Sequence, residues 1–156
     1  MRVPGCISCD ILAGMRTNPG GTIYENEFWH VDSASEPVVW RGFLIIKLKR
    51  HCEQLAELTV EEAEALGPTI RAVCYGLTQA LQSAKVYVCS FGDGVRHIHF
   101  WALPRPPEMR PGMHYVMQQL DLRSAMRRYL GLRRWTIPTQ EVAELAEQVR
   151  WHISQI

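Results

Sequence analysis

The sequence predicts one domain of short antiparallel strands around a principal helix, and three observations predict it. Thr22 to Tyr24, Phe28 to Asp32 and Phe43 to Leu48 carry β-branched and aromatic residues between polar breaks, the composition of strands. Thr59 stands three residues before Glu62, where each side chain can cap the other's backbone N–H, and an apolar 3.6-residue pattern follows to about Leu81. Val86 to Ser90 and His97 to Leu103 then return to strand character around Gly92 and Gly94, which reads as a hairpin.

The whole chain sets the bounds. Its 156 residues, 47% hydrophobic and 21% charged, suffice for one real core and not for two full domains. A net charge of +1 gives no overall pull toward nucleic acid or an acidic membrane. The start, MRVPGCISCDIL, lacks the apolar run of a secretory signal, and no later stretch approaches the roughly 20 apolar residues of a membrane span, so a cytoplasmic location is expected. Five cysteines, odd in number and unevenly spread, fit a reduced compartment better than a disulfide framework.

In chain order, Asn18-Pro19-Gly20-Gly21 is turn chemistry within a loop from Ala13 to Gly21, ahead of the first strand. Gly67-Pro68 lies inside the principal helix and is expected to bend it or split off its first turn. Pro104, Pro106, Pro107 and Pro111 are expected to end regular structure and open a tail holding Arg123, Arg127, Arg128, Arg133 and Arg134. A second helix from Pro138 to about Ile153 places Val142, Leu145, Ala146 and Val149 on one face, which should dock on the domain or on a partner.

Chemistry concentrates near position 99. Alternation in a strand sends His97, His99 and Trp101 to one side and Ile98, Phe100 and Ala102 to the core. Neutral imidazole is a nucleophile and a tunable acid or base, although an H-x-H pair alone reads equally as a structural pair or a metal half-site. Cys6 and Cys9 have the spacing of a zinc half-site; two unligated thiols are the other reading, and a redox pair lacks the preceding strand it needs. Cys52, Cys74 and Cys89 read as buried small hydrophobes, and Trp29, Trp40 and Trp151 as core or interface aromatics. His30, His114 and His152 receive no role. The arginines from Arg123 to Arg134, with Tyr129 and Trp135 among them, read as a solvated face or as a contact for a phosphate chain or RNA.

The run Phe91-Gly92-Asp93-Gly94-Val95-Arg96-His97-Ile98-His99-Phe100-Trp101-Ala102-Leu103-Pro104-Arg105 resembles the histidine-triad (HIT) signature, in which three histidines alternate with hydrophobic residues before a Pro-Arg close. Cys6-Ile7-Ser8-Cys9-Asp10-Ile11 resembles that family's N-terminal opening, Phe28 to Asp32 its ribose-side strand, and Gly42 to His51 its glycine, apolar strand and Lys-Arg-His segment. The resemblance implies an α+β fold, an antiparallel half-barrel sheet packed with one long helix, over residues 1–110. A C-terminal extension, 111–156, would carry the terminal helix, and the chain would pair as a homodimer.

The same resemblance implies an enzyme that hydrolyses or transfers nucleotidyl groups, with a nucleotide or dinucleoside polyphosphate as its ligand. His99 would be the nucleophile at the α-phosphorus, His97 would orient it, and Asp32 would contact the ribose. A structural Zn2+ would sit on Cys6, Cys9, His51 and His97. Two departures bear on activity. Trp101 stands where the third histidine would meet the phosphate or leaving oxygen, and its indole can donate but cannot carry a proton. Asp93 stands where glutamine often donates to phosphate, and a carboxylate there repels the same group. Loss of one donor to developing charge costs about 2 to 4 kcal/mol of barrier. That slows a reaction without abolishing it, and leaves two other readings: a nucleotide-binding module without the chemistry, and a zinc-stabilised interaction protein.

Overall fold

The computed structural model describes residues 2–83, 85–131 and 136–156, with Arg127 described by its backbone alone. Five strands, β1 (Tyr24–Glu25), β2 (Trp29–Ser33), β3 (Leu44–Leu48), β4 (Lys85–Cys89) and β5 (His99–Arg105), form one open antiparallel sheet in the order β1-β2-β3-β5-β4. Four α-helices surround it: α1 (Ile7–Leu12), α2 (Val60–Leu81), α3 (Met113–Leu130) and α4 (Thr139–Ile153). The architecture is α+β.

Period-two alternation decides what each face of the sheet carries. Trp29, Val31, Leu44, Ile46, Leu48, Phe100 and Ala102 point to one side and join Ala72, Val73 and Leu77 of α2 in the main core. α4 enters the same core through Leu145, Ala146, Val149 and Ile153, so the terminal helix docks on its own domain. Gly76 permits the close crossing of α2 and α4: a Cβ there would lie 2.8 Å from Ile153 Cγ1 and 2.9 Å from Val149 Cγ1. On the opposite face, Leu103 packs with Val39, Trp40, Val116 and Leu120 beneath α3, and Phe43, Trp101 and Met117 extend this second cluster.

α2 starts as the sequence predicts. Thr59 Oγ1 accepts from the Glu62 N–H at 3.2 Å, and Glu62 Oε2 accepts from the Thr59 N–H at 2.9 Å. The Glu62 carboxylate also takes two bonds from Arg50, both at 2.8 Å, which ties the helix start to the chain leaving β3. Pro68 does not split this helix, which runs unbroken through it.

Other expectations need correction. Pro104 does not end the strand: it pairs with Val86 inside β5, beyond the last β3 partner Ala102, where no ladder bond from its nitrogen is required. β5 begins at His99, so His97 lies ahead of the strand and the β4–β5 connection is longer than a tight hairpin turn. The short α1 and the 18-residue α3 form where no helix is expected from the sequence.

Candidate active site and metal centre

The non-core face of the sheet holds a cavity of about 560 Å³. Its floor comes from β3 and β5, through Ile45, Lys47, His99 and Trp101. Ile7, Ser8 and Ile11 of α1 form one wall, Met117 of α3 another, and the segment Phe91 to Val95 borders it on a third side. Asn18, Ala34, Ser35 and Phe43 complete the lining. The volume is that of a ligand pocket, mostly apolar with a few convergent polar groups.

His99 is 8% exposed and its ring orientation is fixed. Nδ1 lies 2.7 Å from the His97 carbonyl oxygen, which can only accept, so Nδ1 carries the proton. Nε2 is thereby left with its lone pair for a ligand. Trp101, two residues on, stands against Phe43 and Phe91 with ring centroids 5.2 Å apart in both pairs and near-perpendicular planes. The indole therefore belongs to an aromatic wall of the cavity. Asp93 is exposed on the bordering segment.

His97 takes a different place from its neighbour. It is fully buried, and Nε2 lies 2.7 Å from the Leu48 carbonyl oxygen, which fixes the proton there and turns the Nδ1 lone pair toward Cys6 Sγ at 3.4 Å and Cys9 Sγ at 3.7 Å. Burial pushes the imidazole down to about 4, so it is neutral at physiological pH. His51 Nδ1 lies 3.4 Å from Cys9 Sγ, and its Nε2 lies 3.8 Å from a Glu53 carboxylate oxygen.

The four ligand atoms, two sulfurs and two nitrogens, all fall within 4.8 Å of one another. A tetrahedral ion with Zn–S of about 2.3 Å and Zn–N of about 2.0 Å sets ligand–ligand edges of about 3.3 to 3.8 Å, and the three sulfur–nitrogen separations of 3.4, 3.4 and 3.7 Å fall in that range. Outer-shell acceptors that fix the free ring nitrogen are also what a metal-bound histidine requires. Burial raises the Cys6 thiol. The donor set therefore fits a closed S2N2 metal site.

Asp32 does not line the cavity. It is 2% exposed behind Lys47, with Oδ1 2.5 Å from Lys47 Nζ and Oδ2 accepting from Asn18 Nδ2 at 3.0 Å. Lys47, itself 1% exposed, is the cross-strand partner of His99 and was not singled out by sequence reasoning. Its signal was present: a lysine where β3, Leu-Ile-Ile-Lys-Leu, is otherwise apolar. Burial lowers its ammonium, and the Asp32 carboxylate partly offsets that.

The remaining candidates fall outside the site. Trp29 and Trp40 are core residues whose indoles donate to the carbonyls of Glu62 at 2.8 Å and Pro104 at 2.9 Å, whereas Trp151 is exposed on α4. Cys52 is buried, Cys74 and Cys89 are half-buried, and all five cysteines are free thiols. Arg123 donates to the Val39 carbonyl and lies over the Trp40 ring. The Arg127 side chain and Arg133, Arg134 and Trp135 lie outside the described residues. No helix among the described residues is long and apolar enough to cross a membrane.

The five-stranded antiparallel sheet with the long α2 behind it is the HIT-like fold. Among solved structures it is similar to a Hit-like protein of Bartonella henselae involved in cell-cycle regulation, at 15% identity and TM-score 0.70 over 97% of this chain and 98% of that one. It is also similar to a hypothetical histidine triad nucleotide-binding protein of Sulfolobus tokodaii, at 16% identity and TM-score 0.72 over 96% and 93% of the two chains. A Zn-bound histidine triad family protein of Mycobacterium smegmatis matches at 18% identity and TM-score 0.68 over 97% and 94%. No protein-family model matches the sequence, and no curated protein matches it.

Proposed function

We propose that the protein is a nucleotide phosphate hydrolase or nucleotidyltransferase in which His99 is the nucleophile. One observation carries the reading: the His97 carbonyl holds the Nδ1 proton of His99 and leaves the Nε2 lone pair to a cavity of nucleotide-ligand size. In the first step Nε2 forms a bond to the α-phosphorus while the bond from phosphorus to the leaving group breaks, the leaving group taking the electron pair. The imidazole becomes cationic, and its Nδ1–H bond to the carbonyl strengthens. In the second step water or another acceptor attacks phosphorus, loses a proton and releases the neutral imidazole.

The other residues take supporting parts. His97 acts on His99 through its carbonyl, while its side chain joins Cys6, Cys9 and His51 around a structural zinc that fastens α1 as a cavity wall. Trp101 and Asp93 border the bound group, and Asp32 acts from behind Lys47. The chain works as a homodimer in the cytoplasm, in keeping with the resemblance and with its free thiols.

The test is phosphorus NMR of the purified protein with an adenosine phosphoramidate and a diadenosine polyphosphate. AMP release by the parent and none by His99→Ala is the expected result. Nucleotide-induced stabilisation without release by either protein would select the binding-module reading, which Trp101 favours because indole cannot carry a proton to a leaving group.

A further inference from the structure

We propose that Lys47 is the anion-binding group of the cavity, so that a fixed ammonium rather than an imidazole at position 101 meets the ligand's negative charge, and the ligand is a phosphate ester bearing an aromatic group. The nucleotide part of this assignment rests on the proposed function; the charge selectivity does not.

The register places Lys47 directly across from His99 on the neighbouring strand, and both line the same cavity. Directly opposed residues in an antiparallel pair have Cβ atoms about 5 Å apart, so a phosphorus atom reached by His99 is within range of the lysine. An ammonium has three N–H donors. Asp32 Oδ1 takes one at 2.5 Å, and no other hydrogen bond from Nζ is present among the described residues. Asp32 is held in turn by Asn18 on its second oxygen, with His30 Nε2 3.6 Å from the same atom, and so is fixed as the lysine's partner.

Ile46 and Leu48 flank Lys47, and the strands would pack with an apolar pair in place of both Lys47 and Asp32, without burying two ions. Opposite the polar end, Phe43, Phe91 and Trp101 supply aromatic faces for a base or aryl ring. One cation beside the nucleophile and one aromatic wall define a ligand with a single anionic head and a flat body. A fixed positive charge at that position also stabilises charge that develops on phosphate oxygens during transfer.

The experiment is calorimetric titration of the protein, purified without chelator, with adenosine, AMP and phenyl phosphate, in the parent, Lys47→Arg and the charge-free pair K47M/D32N. The parent is expected to bind AMP at least tenfold more tightly than adenosine. Lys47→Arg should keep that ratio within about threefold, and K47M/D32N should bring it near unity. A folded K47M/D32N that keeps the parent's ratio overturns the proposal and leaves the pair structural. If that variant fails to fold, the Lys47 side-chain NMR resonance of the parent, assigned by its loss in Lys47→Arg, must shift with phenyl phosphate and not with adenosine; no shift overturns the proposal. Lysine-dependent binding of phenyl phosphate with none of AMP would sink the nucleotide reading and sustain this one. Binding of neither phosphate sinks this one.

Discussion

Trp101 and His99 lie on the same strand and the same cavity, and the difference between their rings sets the chemistry available. Histidine can pass a proton to a departing oxygen; indole keeps its single N–H. The reaction should therefore tolerate leaving groups that need no proton and suffer with those that do. Trp101→His is expected to accelerate AMP release from a substrate with a poor leaving group by roughly a hundred- to a thousandfold, the range one recovered donor supplies. A good leaving group should change little. Steady-state rates with both substrate types check this; equal acceleration of both would mean that the substitution acts through the aromatic wall instead. Much of this scale was legible in the sequence. The alternation located the strand from His99 on, and its resemblance to the HIT signature suggested the role proposed for His99. The resemblance also grouped His97 with Cys6, Cys9 and His51; what strand alternation did not show is that His97 lies ahead of β5 and turns away from the His99 side, toward cysteines 88 and 91 residues away in sequence.

At the scale of elements, Glu62 does three things at the start of α2. Its side chain caps Thr59 and receives two bonds from Arg50, and its carbonyl accepts the Trp29 indole. Arg50 chiefly, with the Thr59 N–H, holds the Glu62 carboxyl below its usual range. The folded-state value therefore lies below the unfolded one, and the stabilisation is present above the unfolded value and lost as pH falls through the folded one. Glu62→Gln keeps a capping side chain and removes the charge, and is expected to cost about 1 to 3 kcal/mol at pH 7. That difference should shrink as pH falls below about 4.3, the ordinary glutamate value. Urea denaturation at several pH values checks it, and a pH-independent difference would show that the carboxylate charge is not what Arg50 stabilises. The reciprocal cap was readable from Thr59 and Glu62 alone because it is local. Arg50 was not, since nothing local pairs it with a helix 12 residues on. α3 escaped for another reason: Met113, Val116, Met117 and Leu120 share a face, but arginines and a polar run follow and blur the period.

Across the whole molecule, the Cys6-Cys9-His51-His97 cluster joins α1, the end of β3 and the approach to β5, and so couples the N-terminus to the cavity. α1 has only six residues and could not hold a wall by its own helical stability. With the proposed zinc in place, its removal by a chelator is expected to lower the melting temperature by about 5 °C or more, the shift of one to two kcal/mol in a chain of this size. AMP affinity should fall with it, because Ile7, Ser8 and Ile11 lose their anchor. Cys9→Ser should reproduce both effects, and an unchanged affinity in the metal-free protein would separate the metal site from the pocket. The central claim, that His99 Nε2 attacks phosphorus, is tested most directly by mixing the protein with an adenosine phosphoramidate, quenching within seconds and mapping adducts by mass spectrometry under conditions that preserve the P–N bond. The expected result is one adenylyl group on the peptide containing His99, absent from His99→Ala. AMP release with no adduct on that histidine at any quench time, or an adduct that survives His99→Ala, would contradict the claim.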